Sequence, residues 1–446
     1  MEKVQFVKTF GGRISILLDR IHGHILLPTA LSLALSLRAA TNLPLSHDEF
    51  YTRHAIQEGL DLHLWEAPSL PYYVVQWIAT GGGALDSDLG LRLVSVIAVA
   101  VTVACVAEAA RQMASKTSAY IAGFLMALSG VALTRAAEAR PYALGLSIFV
   151  ISFLLLLRMM RQQNRSSSLA YGTSLVLGLL IMPQGIVVLI PHALIVLQRD
   201  RNWDRLKRWA LSVLPAAFLV LVGATVAWLN VFPNMHNWLD SPTVTQFVDG
   251  LLWVGGAGNS RPGAGSAIAL ALIVLGLTSN RAWLLTCGAI LGAAGLFLGS
   301  QGGTSFWTYG SSATLVPIVI IGASIALGEL RKRSMLLILA TFLIVSLPIY
   351  ADSRMPRSGE ADIRQAVMIL EQSESGPVAV FGSPAEAYGL WAAIRYYGLD
   401  SAKYTPTKSP EGEYWSVYGS DDCRPLQSWD VGGQATLKWC AAPGSK

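Results

Sequence analysis

Long apolar blocks alternate with short polar segments along most of the chain, and this alternation predicts its elements. Apolar runs lie at about 25–40, 89–110, 119–136, 141–157, 168–182, 185–198, 209–230, 266–279, 282–299, 311–328 and 334–350. Several approach the roughly 20 residues that a helix needs to cross a bilayer, so about eleven transmembrane helices are expected. The segment 243–256 reads either as a further span or as an interfacial helix. Between the first two blocks lies SHDEFYTRHAIQEG, residues 46–59. Ser46 followed three residues later by Glu49 is a capping box and Gly59 is a natural stop, which predicts one short helix with Asp48 and Glu49 in its first turn. The stretch after it is broken by Pro and Gly and carries Trp65, Tyr72, Tyr73 and Trp77. Such aromatics suit a helix lying in the outer leaflet.

The pattern changes after 350. Residues 351–446 have the composition of a small soluble domain, with helices expected at 363–370 and 385–397 and a strand at 378–381. The chain thus divides into a membrane part, 1–350, with an outer loop at 41–88, and a C-terminal domain, 351–446. Of the 446 residues, 53% are hydrophobic and only 14% are charged, which excludes an ordinary soluble protein. The net charge of +5 is unevenly spread: 24 Lys/Arg face 16 Asp/Glu up to residue 350, but 9 face 12 beyond it. Topology accounts for the basic excess better than a nucleic-acid partner does. Arg111, Lys116, Arg158, Arg161, Arg165, the cluster at 199–208, Arg281 and the cluster at 331–333 all fall on the side shared with the basic N-terminal flank. The positive-inside rule makes that side cytoplasmic. The first helix is then an uncleaved span in a multi-pass protein of the cytoplasmic membrane. The 46–59 helix and the C-terminal domain face outward. Cys105 and Cys287 lie in spans as small apolar residues, whereas Cys423 and Cys440 lie in the outward tail, where an oxidising compartment allows a disulfide.

Candidate chemistry gathers in the outer segments. Glu49 has a role as the acid of the capping box. Asp48 needs no such role, and a carboxylate at a water–membrane boundary can deprotonate an attacking hydroxyl. Glu138 and Arg140 stand in AAEARPYAL, residues 136–144, a loop joining two spans almost without a gap. Charges are costly there unless they pair with each other or serve a function. Arg140 could bind a phosphate through its planar fork of donors, with Arg53 and Arg92 as further cations and Tyr142 beside them. Snorkelling accounts equally well for Arg92. No Gly-rich phosphate loop precedes a helix, which argues against ATP or a nucleotide sugar.

Asp48-Glu49 after the first helix, EAPSLPYY at 66–73, LGLRLVS at 89–95 and EARPYAL at 138–144 together resemble the protein O-mannosyltransferase and aminoarabinose-transferase superfamily, family 39-like integral membrane glycosyltransferases of the GT-C type. The likeness covers roughly the first 160 residues. It implies a GT-C fold: an all-α polytopic membrane protein with outer-leaflet juxtamembrane helices, to which this chain adds a small extracytoplasmic α/β domain. It also implies a polyprenyl-phosphate-linked sugar as donor and transfer with inversion to an extracytoplasmic glycan, lipid or protein acceptor. Asp48 falls on the family's catalytic acid. Glu66 falls on an acid that helps to hold a divalent metal in the aminoarabinose branch, with His236 as its partner ligand. This chain departs from that branch: Ala67 replaces a lysine, Ser69 breaks a double proline, and the arginine close behind the acid pair is Arg53, outside the DExR position. The rival class is a transporter or flippase of lipid-linked sugars. That class places ionisable groups mid-span and often shows internal repeats; here Glu108 lies near a span end and no repeat is evident.

Overall fold

The computed structural model describes residues 22–43, 45–57, 59–60, 69–199, 203–230, 242–254, 264–301, 312–330, 369–370, 378–381, 404–407, 414–416, 425–430 and 436–440. In chain order the helices are α1 (Gly23–Asn42), α2 (His47–Gln57), α3 (Leu70–Ala79), α4 (Asp88–Met113), α5 (Lys116–Ala127), α6 (Gly130–Ala136), α7 (Pro141–Gln162), α8 (Arg165–Ile181), α9 (Leu189–Arg199), α10 (Trp203–Asn230), α11 (Val244–Val254), α12 (Ala264–Thr278), α13 (Trp283–Gly299) and α14 (Val316–Glu329). A 3-10 turn, Pro183–Val188, joins α8 to α9.

Start signals in the sequence explain most of the helix boundaries. The side chains of Ser87, Ser115, Ser129 and Asn164 each accept a hydrogen bond from a backbone N–H in the first turn of α4, α5, α6 and α8. Pro71 and Pro141 open α3 and α7, where their missing N–H costs nothing. The predicted acid helix is present as α2. Glu49 Oε2 accepts the backbone N–H of Ser46 at 2.8 Å, which is one half of the capping box. The other half does not form, because Ser46 Oγ is buried with no hydrogen-bond partner among the described residues. Gly59 takes φ +70°, and Leu60 N–H closes back on Ala55 O at 2.7 Å, so the stop works as expected.

The protein is a multi-pass membrane protein. Four described helices are long and apolar enough to cross a bilayer, α1, α4, α7 and the first three-quarters of α10, and α5 with α6 makes a fifth if that bent pair is one span. The expected eleven include blocks that lie partly or wholly outside the described residues. The blocks at 266–279, 282–299 and 311–328 are helical, as α12, as α13 and as α14 with the 3-10 turn Ala313–Leu315 that leads into it. The block at 334–350 lies outside the described residues. The block at 119–136 is not straight: its halves meet at 54° where Ser129 caps a new helix.

The core is built from small residues, as helix packing in lipid requires. α4 is the central helix, packed against α1, α5 and α7, and α7 packs on α8. Ala98, Ala107, Ala110, Ala119 and Ala122 are buried in these contacts. Gly123 lets α5 close on α1, since a Cβ there would lie 2.6 Å from Pro28 Cγ. Large apolar side chains point the other way, such as Leu169, Phe218, Leu221 and Ile78, which are exposed.

In the tail, the strand expected at 378–381 is present as β1 (Val378–Phe381), with β2 (Tyr404–Thr407), β3 (Tyr414–Ser416), β4 (Pro425–Asp430) and β5 (Thr436–Cys440). They form one mixed sheet in the order β2-β1-β3-β5-β4, parallel from β2 to β3 and antiparallel from β3 to β4. The helix expected at 385–397 and most of that at 363–370 lie outside the described residues.

Candidate active site

The two acids at the start of α2 have opposite fates, because neighbouring positions on a helix point about 100° apart. Glu49 is fully buried and its two oxygens are filled by four donors. Oε1 accepts from Arg92 Nε at 2.7 Å and from the Ala139 N–H at 2.7 Å. Oε2 accepts from Arg92 Nη2 at 2.8 Å, in addition to the Ser46 N–H. Arg92, one turn into α4, is fully buried as well, and its Nη1 donates to the carbonyls of Ala40 at 2.8 Å and Leu43 at 2.6 Å. One ion pair thereby ties together the end of α1, the start of α2, the body of α4 and the loop before α7.

That loop is fixed at further points. Thr52 Oγ1 donates to Ala139 O at 2.8 Å, and Ser95 Oγ donates to Glu138 O at 2.5 Å. With the Ala139 N–H on Glu49, α2 and α4 hold three polar atoms of two consecutive peptide groups, which leaves Arg140 little freedom at its Cα. Arg140 Nη2 then lies 3.3 Å from Asp48 Oδ2, and the Asp48 side chain is 52% exposed. Arg140 Nε is buried and has no acceptor among the described residues. Burial alone would lower the basicity of this guanidinium, but Asp48, Tyr142 and Tyr73 outweigh it and hold it above the ordinary arginine value. Arg140 is therefore a permanent cation with donor capacity to spare.

Two further cations frame the same region. Arg135 pairs with Glu138 at 2.5 Å, and its guanidinium carbon sits 4.6 Å from the ring centroid of Tyr142. The Arg140 guanidinium lies 5.8 Å from the same ring. Tyr142 thus lies within cation–π reach of both guanidinium groups. Arg53 is held farther along the rim by Asp86, through Nε at 2.7 Å and Nη2 at 2.5 Å, and Gln57 supports the same carboxylate.

The geometry is that of a cation and a partly exposed carboxylate at the ends of apolar helices. The family profile described as dolichyl-phosphate-mannose-protein mannosyltransferase matches residues 69–228. Over these residues, just over a third of the chain, the sequence is similar to that family. Its fold is similar to that of ArnT from Cupriavidus metallidurans in the apo state, with a TM-score of 0.52 at 16% identity over 85% of this chain and 70% of that one. It is also similar to the apo oligosaccharyltransferase of Archaeoglobus fulgidus, with a TM-score of 0.51 at 12% identity over 86% of this chain and 64% of that one. No curated protein matches the sequence.

Within this geometry the predicted residues separate by environment. Asp48, Arg140 and Tyr142 come together at the surface of the site. Glu49 and Arg92 lie beneath it, engaged with each other and with backbone, so both position the loop that carries Arg140. Arg53 is anchored to Asp86. Glu66, His236 and Cys423 lie outside the described residues, and Cys440 ends β5. Among the described residues no group of three or more His, Cys, Asp or Glu side chains could hold a metal ion. Sequence reasoning missed Arg135, Thr52, Ser95 and Asp86. Of these only Arg135 carried a signal, because a charge near the end of an apolar block needs a partner, and Glu138 lies one turn away.

Proposed function

We propose that this enzyme transfers a sugar from a polyprenyl-phosphate-linked donor to a hydroxyl-bearing extracytoplasmic acceptor in a single inverting displacement. The observation that carries this reading is the 3.3 Å pairing of an exposed carboxylate, Asp48, with a lashed-down arginine that retains an unused donor, Arg140. The acceptor oxygen attacks the anomeric carbon, and the bond from that carbon to the phosphate oxygen breaks. Asp48 takes the acceptor proton, and Arg140 balances the charge that develops on the departing lipid phosphate. The description of the matching family, which names a dolichyl-phosphate sugar, supports the donor class. A lipid-borne donor also suits the position of the site, since its tail can stay among the helices while its head reaches the 138–140 loop. The acceptor class is a glycan, lipid or protein of the cell envelope.

The charge distribution supports an enzyme of the cytoplasmic membrane with a cytoplasmic N-terminus and its site and residues 351–446 outside. On this topology an impermeant thiol reagent applied to intact cells labels Cys423 and Cys440 only after reduction. Labelling that requires the cytoplasmic face to be opened would contradict the orientation. The reaction itself is tested with purified protein in nanodiscs and a panel of radiolabelled polyprenyl-phosphate sugars. The expected result is a new glycosidic bond and release of lipid phosphate. If no donor is consumed while labelled lipid crosses a liposome bilayer, the protein is a flippase and the proposal fails.

A further inference from the structure

Helix α3 turns its apolar side outward: Leu70, Val75, Trp77 and Ile78 are exposed, while Tyr72, Tyr73 and Gln76 are buried. The helix is fastened at both ends, by Ser69 Oγ on Ile181 O at 3.1 Å and by Gln76 Nε2 on Leu91 O. Tyr72 and Tyr73 meet edge to face with centroids 5.2 Å apart, so the Tyr72 ring has little room to swing. Elsewhere in the protein a fully buried tyrosine uses its hydroxyl. Tyr171 shares a hydrogen bond with His192 Nδ1 at 3.0 Å and accepts one from Trp209 Nε1 at 3.2 Å.

Tyr72 does not: its hydroxyl is fully buried and has no hydrogen-bond partner among the described residues. Buried polar groups nearly always have partners, and one that lacks them in the free protein is a candidate for bonding to a ligand. Among the described residues, the groups acting electrostatically on this phenol include Tyr73, Arg140, Glu49 and Glu138. Glu49 already accepts four hydrogen bonds and Glu138 is engaged by Arg135. Burial raises the phenol well above its ordinary pKa, so it stays protonated and acts as a donor. Arg140 offers a second buried donor without an acceptor, its Nε–H. Two buried donors that lack acceptors among the described residues and lie within electrostatic reach of each other, one of them cationic, suit an anionic oxygen.

We propose that Tyr72 is a donor-binding residue whose hydroxyl and the Arg140 guanidinium together hold an oxygen of the lipid phosphate. This rests on the reading of Arg140 as the phosphate cation, and it adds a neutral ligand that distinguishes a bound phosphate from a mere counter-ion of Asp48.

The test is Tyr72→Phe, which removes one oxygen and keeps the ring. In nanodiscs, binding of undecaprenyl phosphate without a sugar should weaken about tenfold, as loss of a hydrogen bond to a charged group implies. The thermal midpoint should equal or exceed that of wild type, because the deleted hydroxyl bonds to none of the described residues. In the transfer assay KM for the donor should rise more than kcat falls. Binding within twofold of wild type overturns the assignment, and so does weaker binding that comes with a lower thermal midpoint, which marks a structural role. A loss seen only with the sugar-linked donor moves the contact from phosphate to sugar and also overturns it. If wild type itself fails to bind undecaprenyl phosphate, the fault lies with the reading of Arg140 instead.

Discussion

Asp48→Asn abolishes sugar transfer while leaving the lipid-phosphate site intact or slightly tighter. Loss of a general base lowers the rate by a factor of about 10²–10⁴. Asparagine keeps the shape of the side chain but cannot accept the acceptor proton. The effect on binding has the opposite sign, because Asp48 and an incoming phosphate compete for the same guanidinium. The Asp48–Arg140 pair is half-exposed, so solvent screening keeps its strength below about 1 kcal/mol, and releasing Arg140 improves lipid-phosphate affinity by a few-fold at most. The pairing also implies an order of events. The donor phosphate draws Arg140 away from Asp48, and only then is the carboxylate free to act as base. Transfer rates and undecaprenyl phosphate affinity, measured on the same preparation, check both halves. A variant that still transfers sugar at near wild-type rate would remove Asp48 from the mechanism, and one that binds lipid phosphate much more weakly would show that Asp48 shapes the site.

The second large effect belongs to the residues underneath. Glu49→Gln or Arg92→Met, taken singly, should destabilise the protein by about 3–5 kcal/mol, because each leaves the opposite charge buried without its partner. The double variant, Glu49→Gln with Arg92→Met, should recover a large part of that loss, since no net charge then remains inside. Full recovery is not expected. The carbonyls of Ala40 and Leu43 lose the donor they share, and that cost stays. Thermal unfolding in detergent on the four proteins of the cycle gives the coupling directly. Single variants as stable as wild type would mean that water or a rearranged neighbour replaces the pair. Transfer by Glu49→Gln should also fall, because its carboxylate oxygen anchors the Ala139 N–H and so places Arg140.

These two predictions fall on adjacent residues, and that adjacency marks the limit of what the sequence could tell. Asp48 and Glu49 stood out together as an acid pair in a short capped helix. Local chemistry determined the helix itself: the capping acid, the glycine stop and the polar composition all act within one or two turns. The same holds for the apolar blocks, whose length and composition require a membrane, and for the Ser and Asn caps that start α4, α5, α6 and α8. The motifs that carried the family resemblance are also short and local.

Only the tertiary structure decided which acid does what. Glu49 and Arg92 are 43 positions apart and Glu49 and Ala139 are 90 apart. No periodicity links such positions, so Arg92 read equally well as a phosphate ligand or a snorkelling side chain until α4 packed its first turn against α2. Glu138 and Arg140 offered each other as partners in the sequence, but Glu138 is engaged by Arg135 on its own side of the loop and Arg140 reaches across to Asp48. The bend between α5 and α6 was hidden for the related reason that an apolar run gives the length of a buried path without its direction. The sequence by itself determined that this is a membrane protein with charged groups waiting at one boundary. Packing of distant helices decided which of those charges cancel inside and which stay free to meet a substrate, because the cost of burying a charge depends on its neighbours in space.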